Sequence, residues 1–88
     1  MISVTRLVKV VDFFMETFIK ENLERDIKNF ELTEGLYKRY LAYCEINNLK
    51  PLGRKGFSAR LHKERIGARY ISNGKPARWG VKLLPCKY

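Results

Sequence analysis

KPLGRKGFSARLHKER, Lys50–Arg65, decides how this 88-residue chain is read. Pro51 cannot continue a helix arriving from upstream, and it biases Lys50 away from helical backbone. Gly53 stands at the position of a helix N-cap, and the residues after it carry a helical pattern. With Phe57 at 0° and about 100° per residue, Leu61 falls near 40° and Glu64 near 340°. Phe57 and Leu61 therefore form a narrow apolar anchor. The opposite side carries Lys55, Ala59, His62 and Lys63, with Gly56 and Ser58 beside them. Small residues among cations on a free face suit close approach to a nucleic-acid backbone or groove. The plainer alternative is a solvated basic helix, and the flanking sequence bears on that choice.

Upstream, Arg6 to about Arg25 has the spacing of a first helix. Leu7, Val11, Phe14 and Phe18 form one stripe, widened by Val10 and Met15, with Lys9, Asp12, Glu16 and Lys20 opposite. Phe13 lies off that stripe and either covers a loop or contacts a neighbour. Asn29–Leu32 alternates and reads as a short strand. Thr33 is the expected N-cap of a second helix, Glu34 to about Asn47, with Glu34 in the first turn where the dipole favours an anion. Leu36, Tyr37, Tyr40, Leu41 and Cys44 recur at helical spacing. Core packing is the first reading of this face and a base-stacking platform the second. Asn47-Asn48 suits the C-terminal cap, and Pro51 enforces the stop.

Downstream the period changes from helical to alternating. Ala68–Ser72 and Ala77–Leu84 flank Asn73-Gly74-Lys75-Pro76, whose Asn-Gly is a hairpin turn signal. In the natural registers, Ala68 and Tyr70 share a face with Trp79, Val81 and Leu83, and this face is expected over the core. DNA stacking is the other reading of Trp79. Arg69, Arg78 and Lys82 are expected to point outward, with Lys75 at the tip. A hairpin with one apolar and one cationic face, directly after a basic helix, is a wing. The expected class is thus α+β, a winged helix-turn-helix in the order α1-β1-α2-turn-α3-β2-wing-β3.

Charge supports that arrangement. The chain carries +9, yet residues 1–48 hold seven Lys and Arg against eight Asp and Glu. Residues 49–88 hold eleven Lys and Arg against Glu64 alone. The excess belongs to the C-terminal half, the footprint of a nucleic-acid-binding face. At 45% hydrophobic and 31% charged residues the chain should fold, and its length suits one domain. Residues 5–48 would hold helix 1, the short strand and helix 2, residues 49–65 the turn and recognition helix, residues 66–84 the wing, and residues 85–88 a tail.

Cys44, on an apolar helix face, and Cys86, near the end, are expected to be reduced thiols in a cytoplasmic setting rather than a disulfide framework. Two Cys and one His at these spacings give no four-ligand metal set, so neither metal nor cofactor is expected. The N-terminus has the features of neither a signal peptide nor a membrane span. His62 is the sole imidazole and has no sequence-local nucleophile, so no enzymatic activity is expected.

Beyond these patterns, the segments DFFMETFIKENLE, LTEGLYKRYLAYCEINNLKPL, GFSARLHKERI and RWGVKLL carry a closer likeness. From about Val10 to Leu84 the chain resembles the C-terminal domain of phage, plasmid and poxvirus-type primase–helicases, proteins that join a primase region to a superfamily III ATPase. The matching positions are Leu36-Tyr37, Lys50-Pro51-Leu52, Phe57 and Leu61. Gly53 departs from the usual Ser or Thr cap, and Gly56 weakens the helix start by about 1 kcal/mol relative to Ala. No G-x-x-x-x-G-K-[ST] phosphate loop occurs, so ATPase chemistry is not expected in these residues.

The resemblance implies a DNA-binding module of a mobile-element replication protein, holding duplex or fork DNA, with other domains or subunits of such a protein as further partners and no membrane. Lys55, Ser58, His62 and Lys63 would meet bases or phosphates, and Arg54 and Arg65 the backbone at the helix ends. Arg69, Lys75, Arg78 and Lys82 would clamp neighbouring backbone from the wing. A free-standing transcriptional regulator and a protein–protein docking module remain as alternatives.

Overall fold

A computed structural model of the chain describes residues 14–86. The stripe positions Leu7, Val10 and Val11, and Phe13 with its two readings, lie outside the described residues. Helix α1 is seen over residues 14–22, with Met15 and Phe18 buried. It ends sooner than the expected Arg25. Asn22 is buried and turns the chain: its Nδ2 donates to the Phe18 carbonyl at 3.1 Å, and its own carbonyl accepts the Leu84 N–H at 2.8 Å. Those bonds hand the chain to a sheet at the next residue.

Strand β1 spans Leu23–Leu32 and is far longer than the expected Asn29–Leu32. It pairs with β3 (Lys75–Leu83) in two pieces, Leu23–Arg25 against Val81–Leu83 and Phe30–Leu32 against Ala77–Trp79. Residues 26–29 bulge out between them. Asp26 closes the bulge by accepting the Lys28 N–H at 3.0 Å and the Asn29 side-chain N–H at 2.6 Å. These bonds hold the Asp26 carboxyl below its ordinary range. The charged run Glu24–Asp26 has no strand alternation, which is why the first piece is invisible to periodicity.

Helix α2 spans Thr33–Ile46 and α3 spans Arg54–Lys63. Thr33 proves to be the first helical residue; the N-cap is Leu32, whose side chain makes no capping bond. Leu36, Tyr40, Tyr43 and Cys44 are buried, whereas Leu41 is 37% exposed. Relative to Leu36, Tyr43 returns to about −20° while Leu41 lies at about 140°, off the stripe. Both helices end in the same device. Asn48 and Arg65 adopt φ of 54° and 56°, and the following N–H groups of Leu49 and Ile66 reach back to Cys44 and Leu61 at 2.8 and 2.9 Å. This is the Schellman closure, in which Ile66 is also buried beneath the helix end.

Strand β2 spans Ala68–Ser72 and forms a hairpin with β3 across Asn73-Gly74, whose φ values are 50° and 78°. Positive φ at both central residues matches the right-handed twist of the strands. The hairpin register, Ala68 opposite Trp79 and Ser72 opposite Lys75, keeps the expected sharing of faces, and β3 begins at Lys75 rather than at the expected Ala77. The three antiparallel strands run β1-β3-β2, and helices and sheet together give the winged-helix order. Phe57 and Leu61 are fully buried, as the helical phase requires. Phe57 stacks on Tyr40 at 4.7 Å and meets Phe18 and Tyr37 at 6.0 and 5.4 Å, so one ring ties α3 to α1 and α2.

The two faces of the hairpin differ from expectation. Val81 is fully buried, but Trp79 is 40% exposed and Arg78 only 6%. Gly80 intervenes with φ of 91° opposite the bulge of β1, so strict alternation fails there. Trp79 therefore does not join Val81 over the core, and Arg78 turns inward instead of out. Among the described residues no helix is long and apolar enough to cross a membrane.

Candidate nucleic-acid interface

The buried pair Phe57 and Leu61 sets which side of α3 is exposed. Lys55, Ala59, His62 and Lys63 are exposed, and Ser58 is half-buried beside them. Arg60, His62 and Lys63 occupy the last turn, where cations complement the helix dipole. Arg25 reaches from β1 to the Glu64 carbonyl at 3.2 Å and so secures that end of α3 to the sheet.

Arg54 begins α3 but is already engaged. Its guanidinium forms a two-pronged pair with Glu34 of α2, one prong 3.1 Å long, and its Cζ lies 5.1 Å from the centre of the Tyr37 ring. The pairing lowers the Glu34 carboxyl and raises the Arg54 guanidinium relative to their ordinary values. Behind it, the Tyr37 hydroxyl donates to the Leu52 carbonyl at 2.8 Å, while the Leu52 N–H donates to the Tyr40 hydroxyl at 3.1 Å. Both backbone groups of Leu52 are thus held by α2, which fixes the approach of the turn into α3.

On the wing, Arg69, Lys75 and Lys82 are exposed, and Arg65 projects from the left-handed residue after α3. Arg78 does not belong with them. Its Nε donates to the Ile66 carbonyl and its terminal nitrogen to the Gly67 carbonyl at 3.1 Å, and burial lowers its pKa. The expected outward clamp is a brace between β3 and the loop after α3.

Tyr70 and Trp79 share a face of the hairpin as the alternation predicts, but that face lies exposed rather than over the core, and Phe30 of β1, which periodicity did not place there, joins it. Phe30, Tyr70 and Trp79 come from three strands and cluster with centroids 5.1–5.8 Å apart. The Trp-Gly pair at Trp79-Gly80 was the available sign, since a glycine within a strand often marks a bulge that re-aims its neighbours.

The two cysteines are apart in character: Cys44 is buried, which pushes its thiol pKa up, and Cys86 is exposed. A family model described as poxvirus D5 protein-like matches residues 9–76, ending just before Ala77 in β3. No curated protein and no solved structure matches the chain.

Proposed function

The chain belongs to the poxvirus D5 protein-like family, and from that premise we propose that it is a DNA-binding winged-helix module of a mobile-element replication protein of primase–helicase type. The observation that carries this reading is the exposed row Lys55, His62 and Lys63 on α3, opposite the buried anchors Phe57 and Leu61. Helix α3 enters the major groove, and Lys55, Ser58, His62 and Lys63 meet base edges or phosphates. Arg65, Arg69, Lys75 and Lys82 contact flanking backbone. Arg54, held by Glu34, positions the start of α3 more than it reaches outward, and Arg78 supports the wing from within.

The module binds and does not catalyse. It holds duplex or fork DNA for the other domains or subunits of a replication protein, uses no cofactor and engages no membrane. Its affinity is largely electrostatic. With about four to six phosphates neutralised, log K falls with log salt at a slope of about −4 to −5. The Kd for random duplex is on the order of 10⁻⁴ to 10⁻⁶ M at physiological salt. Titration of labelled duplex at several salt concentrations tests this; a flat response overturns the reading.

A further inference from the structure

We propose that the sheet face bearing Phe30, Tyr70 and Trp79 is a stacking platform for the unpaired bases of a single nucleic-acid strand. Each ring leaves 38–40% of its residue surface exposed, and Phe30 and Trp79 lie nearly parallel, 10° apart. The rings are set in place. Trp79 Nε1 donates to the Ile27 carbonyl at 2.9 Å, within the bulge that Asp26 closes. With that donor used, the indole offers ring surface to a ligand. Arg78 lies on the opposite side of β3, filling the space towards Ile66 and Gly67, so the aromatic face has no such cover from the loop after α3.

Charge selects the occupant. Lys75 shares the face by the hairpin register, Lys82 rejoins it beyond Gly80, and Lys28 rises from the bulge; all three are exposed. Of the acids nearby, Glu24 sits opposite Lys82 in the sheet, and the Asp26 carboxylate already accepts two hydrogen bonds. Exposed rings rimmed by cations are the chemistry of single-strand binding, in which bases stack on the rings and cations follow the phosphates. Aliphatic surface is sparse on this face: Ile27 stands at its rim, and Ile71 belongs to the other side of β2 by alternation. The proposal rests on nucleic acid being the ligand and extends that reading: α3 takes the duplex, and Lys75 and Lys82, at the wing's contact with flanking backbone, lead the strand leaving it onto the aromatic face.

Trp79 is the sole tryptophan, so its fluorescence reports on this face alone. The whole chain is titrated with oligo-dT of about 12 nucleotides, with an abasic oligomer of equal length, and with duplex, all at one salt concentration. Oligo-dT should quench Trp79 and bind about 5- to 150-fold more tightly than the abasic strand, the range for stacking of one base. Phe30→Leu and Tyr70→Leu should shrink that ratio and leave duplex binding unchanged, with far-UV circular dichroism checking their fold. Equal affinity for the two oligomers without quenching overturns the platform and leaves the duplex reading standing. So does a self-associated or peptide-bound chain whose Trp79 emission ignores oligo-dT. Failure to bind any of the three nucleic acids overturns both.

Discussion

The guanidinium of Arg78 donates to the backbone carbonyl of Ile66, joining the middle of the last strand to the residue that closes α3. A second bond reaches Gly67, and the whole residue is 6% exposed. Removing the side chain strands two carbonyls. Arg78→Ala should therefore destabilise by about 2–3 kcal/mol in urea unfolding, as expected for hydrogen bonds from a charged group. Arg69→Ala, opposite it in the register but exposed, should change stability by less than about 0.5 kcal/mol and weaken DNA binding.

Phe57 is the ring through which α3 contacts both preceding helices. Phe57→Ala should cost about 3–5 kcal/mol by thermal or urea unfolding. Lys55→Ala and Lys63→Ala should leave the melting temperature nearly unchanged and each reduce duplex affinity. Melting of Phe57→Ala at the parental temperature would contradict the packing.

Two glycines with similar φ should respond differently to alanine. Gly74 at the hairpin turn has open space around it, so Gly74→Ala carries only the left-handed backbone cost of about 1–2 kcal/mol. At Gly67, with φ of 68°, a Cβ would also fall 2.8 Å from the Trp79 carbonyl oxygen. The strand must move to admit it. Gly67→Ala should be the more destabilising in unfolding titrations, by more than about 2 kcal/mol in total.

Tyr40 supplies a dependence on alkaline pH. Burial pushes its pKa from 10.0 up to about 12, so the folded state favours the neutral phenol. The associated stability is fully present below pH 10 and is lost as pH rises from 10 through 12, because the unfolded chain gives up this proton first. Urea midpoints across that window should fall more steeply for the parent than for Tyr40→Phe. At neutral pH the same variant should lose about 1 kcal/mol, since the Leu52 N–H loses its acceptor.

Local rules were enough for much of this molecule. Pro51 and Gly53 set the start of α3, the spacing of Phe57 and Leu61 set its buried side, and Asn73-Gly74 set the hairpin register. Each of these depends on residues within a few positions of one another, so it is written in the chain. The sheet's outer and inner faces were decided elsewhere. Leu23–Arg25 becomes strand because β3 offers partners, after Asn22 has ended the helix through bonds to Phe18 and Leu84. That pairing leaves residues 26–29 as a bulge opposite Gly80, and the bulge shifts the register by which Trp79 and Val81 are assigned to sides. Alternation along one strand carries no information about a bulge in its neighbour. The sequence therefore determined that a basic helix and a hairpin follow an apolar body, whereas only the tertiary structure turned Arg78 inward and Trp79 out, because unpaired carbonyls at Ile66 and Gly67 needed a donor that the folded chain alone brings to them.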